Sequence, residues 1–285
     1  MFDWLKSHKL PLGSWLQVGV DFLNDHASFV FDAISRYLSL AVDGMTHLLL
    51  AIPALIIVAF VAVFAYALHR SIALVVFIVL AFLLVINLGY WQATMETLSL
   101  VLWSTAACIV IGVPVGIAAA HRPWLYTAIR PVLDLMQTIP TFVYLIPTLV
   151  LFGLGTVPGI ISTVIFALPA PIRLTQLGIS SVPLALREAA LAYGATKRQM
   201  LFKVELPHAM PTILAGVTQC IMLSLSMVVI AALVGADGLG KPVVRALNSV
   251  NIAMGFEAGI SIVVLAIILD RVCKNPERSG RVARS

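Results

Sequence analysis

Residues 183–207 read PLALREAALAYGATKRQMLFKVELP, and this stretch is a polar, basic unit between two apolar runs. Pro183 suits the first position of a helix, where its missing N–H leaves no bond unmade. Leu186, Glu188, Ala189, Ala190 and Ala192 continue that helix with strong helix formers. Gly194 then supplies the left-handed residue that commonly ends a helix. Thr196-x-x-Gln199 has the form of a capping box and opens a second helix, expected to end near Pro207, with Pro211 opening the next apolar run. The segment 181–211 therefore predicts helix, glycine bend, helix. Arg187, Lys197, Arg198 and Lys203 are expected to ring it with positive charge, around a slim alanine face able to enter a groove on a partner.

Around this unit the chain is apolar. Of 285 residues, 61% are hydrophobic and 11% are charged, where a soluble domain carries charge on roughly a quarter. A water-soluble globular enzyme is excluded. Apolar stretches of about 18 residues or more read as membrane spans. Seven are expected, over residues 48–68, 72–90, 97–119, 132–154, 157–172, 212–234 and 254–270, so the fold class is an all-α membrane protein. The fifth is short and interrupted by Pro158, Pro169 and Pro171.

Lysine and arginine near the spans concentrate on the cytoplasmic side. With the C-terminus inside and the N-terminus outside, thirteen basic residues fall in inner segments: Arg70, Arg122, Arg130, Arg173, Arg187, Lys197, Arg198, Lys203, Arg271, Lys274, Arg278, Arg281 and Arg284. Five fall outside: Lys6, Lys9, Arg36, Lys241 and Arg245. That bias selects the orientation. The net charge of +5 then reads as a cytoplasmic face beside anionic lipid, with no nucleic-acid partner needed.

Before the first span, Trp15, Val18, Phe22, Phe29, Ile34, Leu38, Ala41 and Met45 recur at helical intervals, opposed by Asp21, Asp25, Asp32, Arg36, Ser39 and Asp43. This predicts one or two amphipathic helices. They either brace the bundle or help to dock an external partner. Residues 1–47 show no compact apolar core followed by small residues, so no cleavable leader is expected. Cys108, Cys220 and Cys273 have neither metal-ligand spacing nor a disulfide pattern.

Two features bear on the energy source. Asp134, Glu257 and Asp270 all lie near span ends, and no acid is expected near the middle of a span. An ion-coupled transporter normally needs such a group. Gly235-Ala-Asp-Gly-Leu-Gly240-Lys241 matches seven positions of a phosphate-binding loop, but the eighth is Pro242 instead of the serine or threonine that would hold magnesium. It reads as a glycine-rich external turn.

The spacing Glu188-Ala189-Ala190-x3-Gly194-x9-Val204-x-Leu206-Pro207 resembles the cytoplasmic coupling loop of permeases from bacterial ATP-binding-cassette importers. MQTIPTFVYLIP at 136–147, FALPAPIRLT at 166–175, RQMLFK at 198–203, LSMVVIA at 225–231 and IILDR at 267–271 are similar to the quaternary-amine permeases of that group. The likeness covers about residues 90–272. AALVGADGLGKP at 231–242, with Asp237, looks most like choline-importing members; glycine betaine and proline betaine are the alternative cargo.

The resemblance implies a homodimeric permease, a separate ATPase docked on each loop, an external substrate-binding protein, and no cofactor on this chain, since ATP and magnesium belong to the ATPase. It implies force transmission through Glu188, Ala189, Ala190, Gly194, Arg198, Leu206 and Pro207. A quaternary ammonium is stabilised by aromatic faces, so Phe142 and Tyr144, with Gln137 and Thr138, are candidates to line the pathway. The expected organisation is an external amphipathic segment 1–47, two spans in 48–90, an importer domain 91–272 and a basic tail 273–285.

Overall fold

The computed structural model describes residues 11–273, which form helices only. In chain order these are α1 (Leu12–Ala51), α2 (Ala54–His69), α3 (Ile72–Asn87), α4 (Trp91–His121), α5 (Pro123–Thr138), α6 (Leu145–Phe152), α7 (Thr156–Ala167), α8 (Pro169–Ser180), α9 (Leu184–Ala192), α10 (Lys197–Met200), α11 (Leu206–Ala231), α12 (Gly240–Ser249) and α13 (Ile252–Cys273). The first ten residues of the expected external segment, with Lys6 and Lys9, and the expected basic tail from Lys274 onward lie outside the described residues.

Seven straight spans are not what forms. Four helical stretches are long and apolar enough to cross a membrane: 91–121, 156–180, 197–234 and 252–273. Two more exist only as bent pairs, α1 with α2 at 98° and α5 with 141–152 at 106°. Both bends have the same cause. Proline disfavours the helical conformation in the residue before it, and Ile52 before Pro53 and Ile139 before Pro140 are extended, with ψ of 130° and 131°. The expected span 48–68 is thus divided between α1 and α2. The 16 residues of α3 reach about 24 Å at 1.5 Å per residue, short of a hydrocarbon core of about 30 Å.

The prolines further along do not break the chain as expected. α7 runs into α8 through Leu168, which keeps helical angles (φ −54°, ψ −36°), so the fifth span lengthens to 156–180 and takes in Arg173. That arginine is not in an inner loop; its Nη2 donates to Asp134 Oδ1 of α5 at 2.6 Å. Likewise the second helix of the basic unit does not stop at Pro207. It continues through a π-turn at Leu201–Glu205 into α11. Pro207 follows closely on that π-turn, and the chain stays helical on both sides of it.

α8 sits between α4 and α11, and small residues make the approach possible. A Cβ on Gly112 would meet Pro171 Cγ at 2.8 Å, and one on Gly116 would meet Thr175 Cβ at 2.6 Å and the Ile172 carbonyl at 2.7 Å. On α11, Gly216 faces Leu174 and Pro171, and Gly178 of α8 faces Ala209. Close packing through small residues is the usual basis of helix association in lipid. Leu100, Val101, Ile160, Ile221, Leu225, Val228 and Leu265 fill the core around this contact. α2 and α3 form a second cluster, in which Ile57, Val58, Ile78 and Phe82 meet Met95 and Ile268.

The amphipathic segment forms the single helix α1. Its C-terminal part braces the bundle: Val42 is in the core, the Ser99 hydroxyl donates to the Val42 carbonyl at 3.0 Å, and Phe31 meets Phe152 edge-on at 5.3 Å. Trp15, Phe22 and Phe29 are exposed, so the expected apolar stripe is buried only near its end.

Candidate functional site: the basic loop and the bent helix

The basic unit takes its shape from local chemistry. Pro183 stands just before α9 as its cap instead of inside its first turn, and its carbonyl accepts from the Leu186 N–H at 3.0 Å. At the other end Gly194 is left-handed, with φ +76°. The Ala195 N–H donates to the Ala190 carbonyl at 3.0 Å and the Gly194 N–H to the Leu191 carbonyl at 2.9 Å. These two bonds are a Schellman turn. The capping box then forms as expected: Gln199 N–H to Thr196 Oγ1 at 3.3 Å, and Thr196 N–H to Gln199 Oε1 at 2.8 Å.

None of the nine residues of α9 is buried. Leu184, Glu188, Ala189 and Leu191 are exposed, with Tyr193 beyond the helix at 93% exposure, while Ala190 is half-buried. Gly194 and Arg198 are exposed; Leu206 is half-buried and Pro207 exposed. Lys197 and Lys203 are exposed beside them, and the Arg198 guanidinium lies 5.9 Å from the centre of the Phe202 ring. Such a surface, apolar in part and rimmed by cations, suits a protein partner.

Arg187 departs from the expected ring of charge. It turns inward, its Nη2 donating to the Ile179 carbonyl at 2.6 Å and its Nε facing Glu205 Oε1 at 3.4 Å. The other oxygen, Oε2, accepts from His121 Nε2 at 2.7 Å. Glu205 is therefore a buried acid within a helix that continues into a span, which the sequence reading missed. One signal was available. Glu205 falls at a spacing of four between Leu201 and Ala209, with Ile213 next, an otherwise apolar edge.

The second cluster lies at the bend of α5. Gln137 is half-buried and Thr138 exposed; the Thr138 hydroxyl donates to the Leu135 carbonyl at 3.2 Å. Phe142 is 59% exposed, whereas Tyr144 is buried. Pro140 has no N–H for the Met136 carbonyl four residues back, and the Tyr144 hydroxyl takes that place, donating at 2.8 Å. Tyr144 thus holds the bend. Tyr144→Phe leaves the carbonyl unmet and is expected to cost about 1–2 kcal/mol, read as a lower melting temperature of the purified protein; an unchanged value would contradict this role.

The glycine-rich turn offers no open phosphate cradle. The Leu239 N–H donates to Thr97 Oγ1 at 2.8 Å, a Cβ on Gly240 would lie 2.3 Å from the Val228 carbonyl, and Lys241 pairs with Asp237. The Gly235, Ala236 and Lys241 N–H groups likewise bond within the chain.

A family described as "Binding-protein-dependent transport system inner membrane component" matches residues 112–279, enclosing the bent helix, the basic loop and α11–α13. This chain belongs to that family. The inner-membrane component is 44% identical over 272 residues to the glycine betaine/proline betaine transport system permease protein ProW of Escherichia coli (strain K12), covering 95% of this chain and 77% of that one. It is 46% identical over 268 residues to the glycine betaine transport system permease protein OpuAB of Bacillus subtilis (strain 168), covering 94% of each. A chain of the MetNI methionine ABC transporter, solved in an inward-facing conformation, shares its fold with a TM-score of 0.58 at 26% identity, over 67% of this chain and 94% of that one. The membrane component is thus similar to transport permease subunits over nearly its whole length.

Proposed function

We propose that this chain is the pore-forming subunit of an ATP-driven importer of compact quaternary amines, glycine betaine ahead of choline. The observation that carries the coupling half of this reading is α9 with its Schellman turn, an exposed helix presented at the end of the bundle. A partner ATPase docks there on Glu188, Ala189, Ala190 and Gly194, with Arg198 at the rim and Leu206–Pro207 leading the helix into the bundle. The cargo half rests on the two permeases above, both named for glycine betaine; the text at 231–242 supports choline only by its likeness to choline-importing members.

Two copies of the chain, one ATPase on each loop, an extracytoplasmic binding protein and the surrounding lipid complete the assembly. ATP and magnesium sit on the ATPase, and this chain carries no catalytic site. The excess of lysine and arginine around the basic loop supports a cytoplasmic C-terminus and an external N-terminus, in a bacterial inner membrane. In the pathway, the exposed face of Phe142 offers the cation–π contact a quaternary ammonium accepts, with Gln137 and Thr138 on the neighbouring turn. Tyr144 contributes by fixing the bend that presents Phe142.

Because the turn at 235–241 is not a nucleotide site, Lys241→Ala is expected to leave ATP hydrolysis by the complex unchanged. Its exposed ion pair with Asp237 is of a kind worth less than about 1 kcal/mol. A loss of nucleotide binding by an intact complex would refute this.

The test of function is uptake of labelled glycine betaine and choline into proteoliposomes holding this chain, its ATPase and its binding protein, with and without internal ATP. ATP-dependent uptake of glycine betaine above choline supports the full reading. ATP-dependent uptake of choline alone reverses the cargo ranking, and uptake that needs no ATP sinks the coupling.

A further inference from the structure

We propose that Glu205 is a positioning residue that passes movement of the docking helix α9 to the membrane helix α4, through an Arg187–Glu205–His121 link. The inference rests on the coupling reading of α9 given above.

Three observations carry it. First, the Glu205 side chain is only 4% exposed, and both of its oxygens are engaged, each by a different element. Oε1 faces Arg187 of α9 at 3.4 Å, an ion pair rather than a hydrogen bond, and Oε2 accepts from His121, the last residue of α4, at 2.7 Å. His121 is 84 residues away in sequence. Arg187 is also tied to the Ile179 carbonyl at the end of α8. A single carboxylate thus joins the exposed helix to the end of a spanning helix, with α8 held alongside.

Second, the carboxylate sits in a π-turn. The Leu206 N–H bonds back to the Leu201 carbonyl, five residues earlier, and this wider turn inserts one residue into the helix that leads to α11. Such insertions are rare and concentrate at functional sites.

Third, the charge is not the stable choice for packing. Glu205 lies on an apolar edge with Leu201, Ala209 and Ile213 close by. Burying a carboxylate costs more in lost hydration than a well-packed leucine or methionine would. What an ionic group adds is a directional link between two elements that an apolar side chain would let slide. In α9 the Arg187 contact has slack at 3.4 Å, so displacement of the helix towards the bundle tightens it and draws on the shorter bond to His121.

The experiment compares Glu205→Gln, which keeps the shape and removes the charge, with Arg187→Gln and the double variant. All are full-length chains, in proteoliposomes with the ATPase and the binding protein. The readout is labelled glycine betaine taken up per ATP hydrolysed, a ratio that loss of folded protein alone does not move. Glu205→Gln is expected to lower the ratio roughly fivefold or more, with Arg187→Gln similar and the double variant no worse than either, as for members of one unit. An unchanged ratio, or single effects that simply add, overturns the link. So does a fall in assembly, hydrolysis and uptake together at constant ratio, since that marks a residue needed only for folding. If Glu205→Gln does not assemble, Arg187→Gln and His121→Gln decide the matter, both at side chains about one-third or more exposed in this fold (31% and 43%). Wild-type uptake that needs no ATP is a different failure: it removes the coupling reading itself, and the link with it.

Discussion

Gly116→Leu is expected to cut the yield of monodisperse protein by about tenfold or more, with transport lost in proportion. The reason is geometric. A Cβ at this position would lie 2.6 Å from Thr175 Cβ and 2.7 Å from the backbone carbonyl of Ile172. A flexible side chain can swing away from an intruding atom, but a carbonyl inside a helix cannot. Overpacking a tight core usually costs about 1–3 kcal/mol, and here α4 and α8 would have to separate along the contact that organises the bundle. Gly112, one turn earlier, meets Pro171 through side-chain atoms at 2.8 and 3.1 Å and through Ile172 Cγ1 at 3.5 Å, so Gly112→Leu is expected to be milder. Gly259 on α13 has nothing within 4 Å, and Gly259→Leu serves as the control. The measurement is size-exclusion yield and melting temperature in detergent. A Gly116→Leu protein with the yield and melting temperature of the control would show that the packing is not as tight as described.

Gly194→Val acts on the opposite property, leaving folding alone and disabling ATP-driven uptake. Nothing lies within 4 Å of a Cβ built on Gly194, so no clash arises. The cost is in the backbone: at φ +76° an L-residue pays about 1–2 kcal/mol, and a β-branched one lies at the upper end. The two bonds of the Schellman turn are then poorly held, and the fraction of chains with α9 correctly presented falls. Apparent affinity for a docking partner falls with that fraction. Because no residue of α9 is itself buried and the substitution leaves Arg187 and its partners in place, the bundle should still insert and purify normally. Uptake is expected to drop about tenfold, since about 1.4 kcal/mol corresponds to one decade. Gly194→Asn, whose side chain tolerates the left-handed region, should retain most activity. Normal ATP-driven uptake by the valine variant would contradict the part given to the turn, and equal failure of both variants would mean that the glycine matters for its size and not its conformation.

The contrast between these two glycines shows what can be read along a chain. Gly194 was legible because its role is settled within five residues: the helix formers before it and the Thr196–Gln199 box after it leave little other than a left-handed turn. Gly116 was not, because nothing near it in sequence says that Ile172 and Thr175 will lie against it. The prolines divide in the same way. The restriction that Pro140 puts on Ile139 is local and so was there to be read, although 132–154 was expected as one span. That Pro207 and Pro211 would be carried within a continuous helix was not evident, because the π-turn at 201–205 and the burial of Ala209 and Ile213 against Ile179 depend on how the helices pack.

The sequence by itself determined the membrane class, through its apolar content, and the helix–glycine–helix form of the basic loop, through caps and spacing that operate over four or five residues. The spans at 97–119 and 254–270 lie within α4 and α13 as expected, because a long apolar run whose only charges, Glu257 and Asp270, sit near its ends has no other stable home. Only the tertiary structure decided where the charges inside the protein go. Arg187 looked like part of an exposed basic rim and Arg173 like a loop residue, and Glu205 was given no role. Each is instead committed to a partner distant in the chain: Glu205 for Arg187, Asp134 for Arg173, His121 for Glu205. Glu205 is buried and tolerated only because polar partners meet both of its oxygens, the Arg173–Asp134 pair is partly exposed, and which residues meet is fixed by how α4, α5, α8 and α9 pack together.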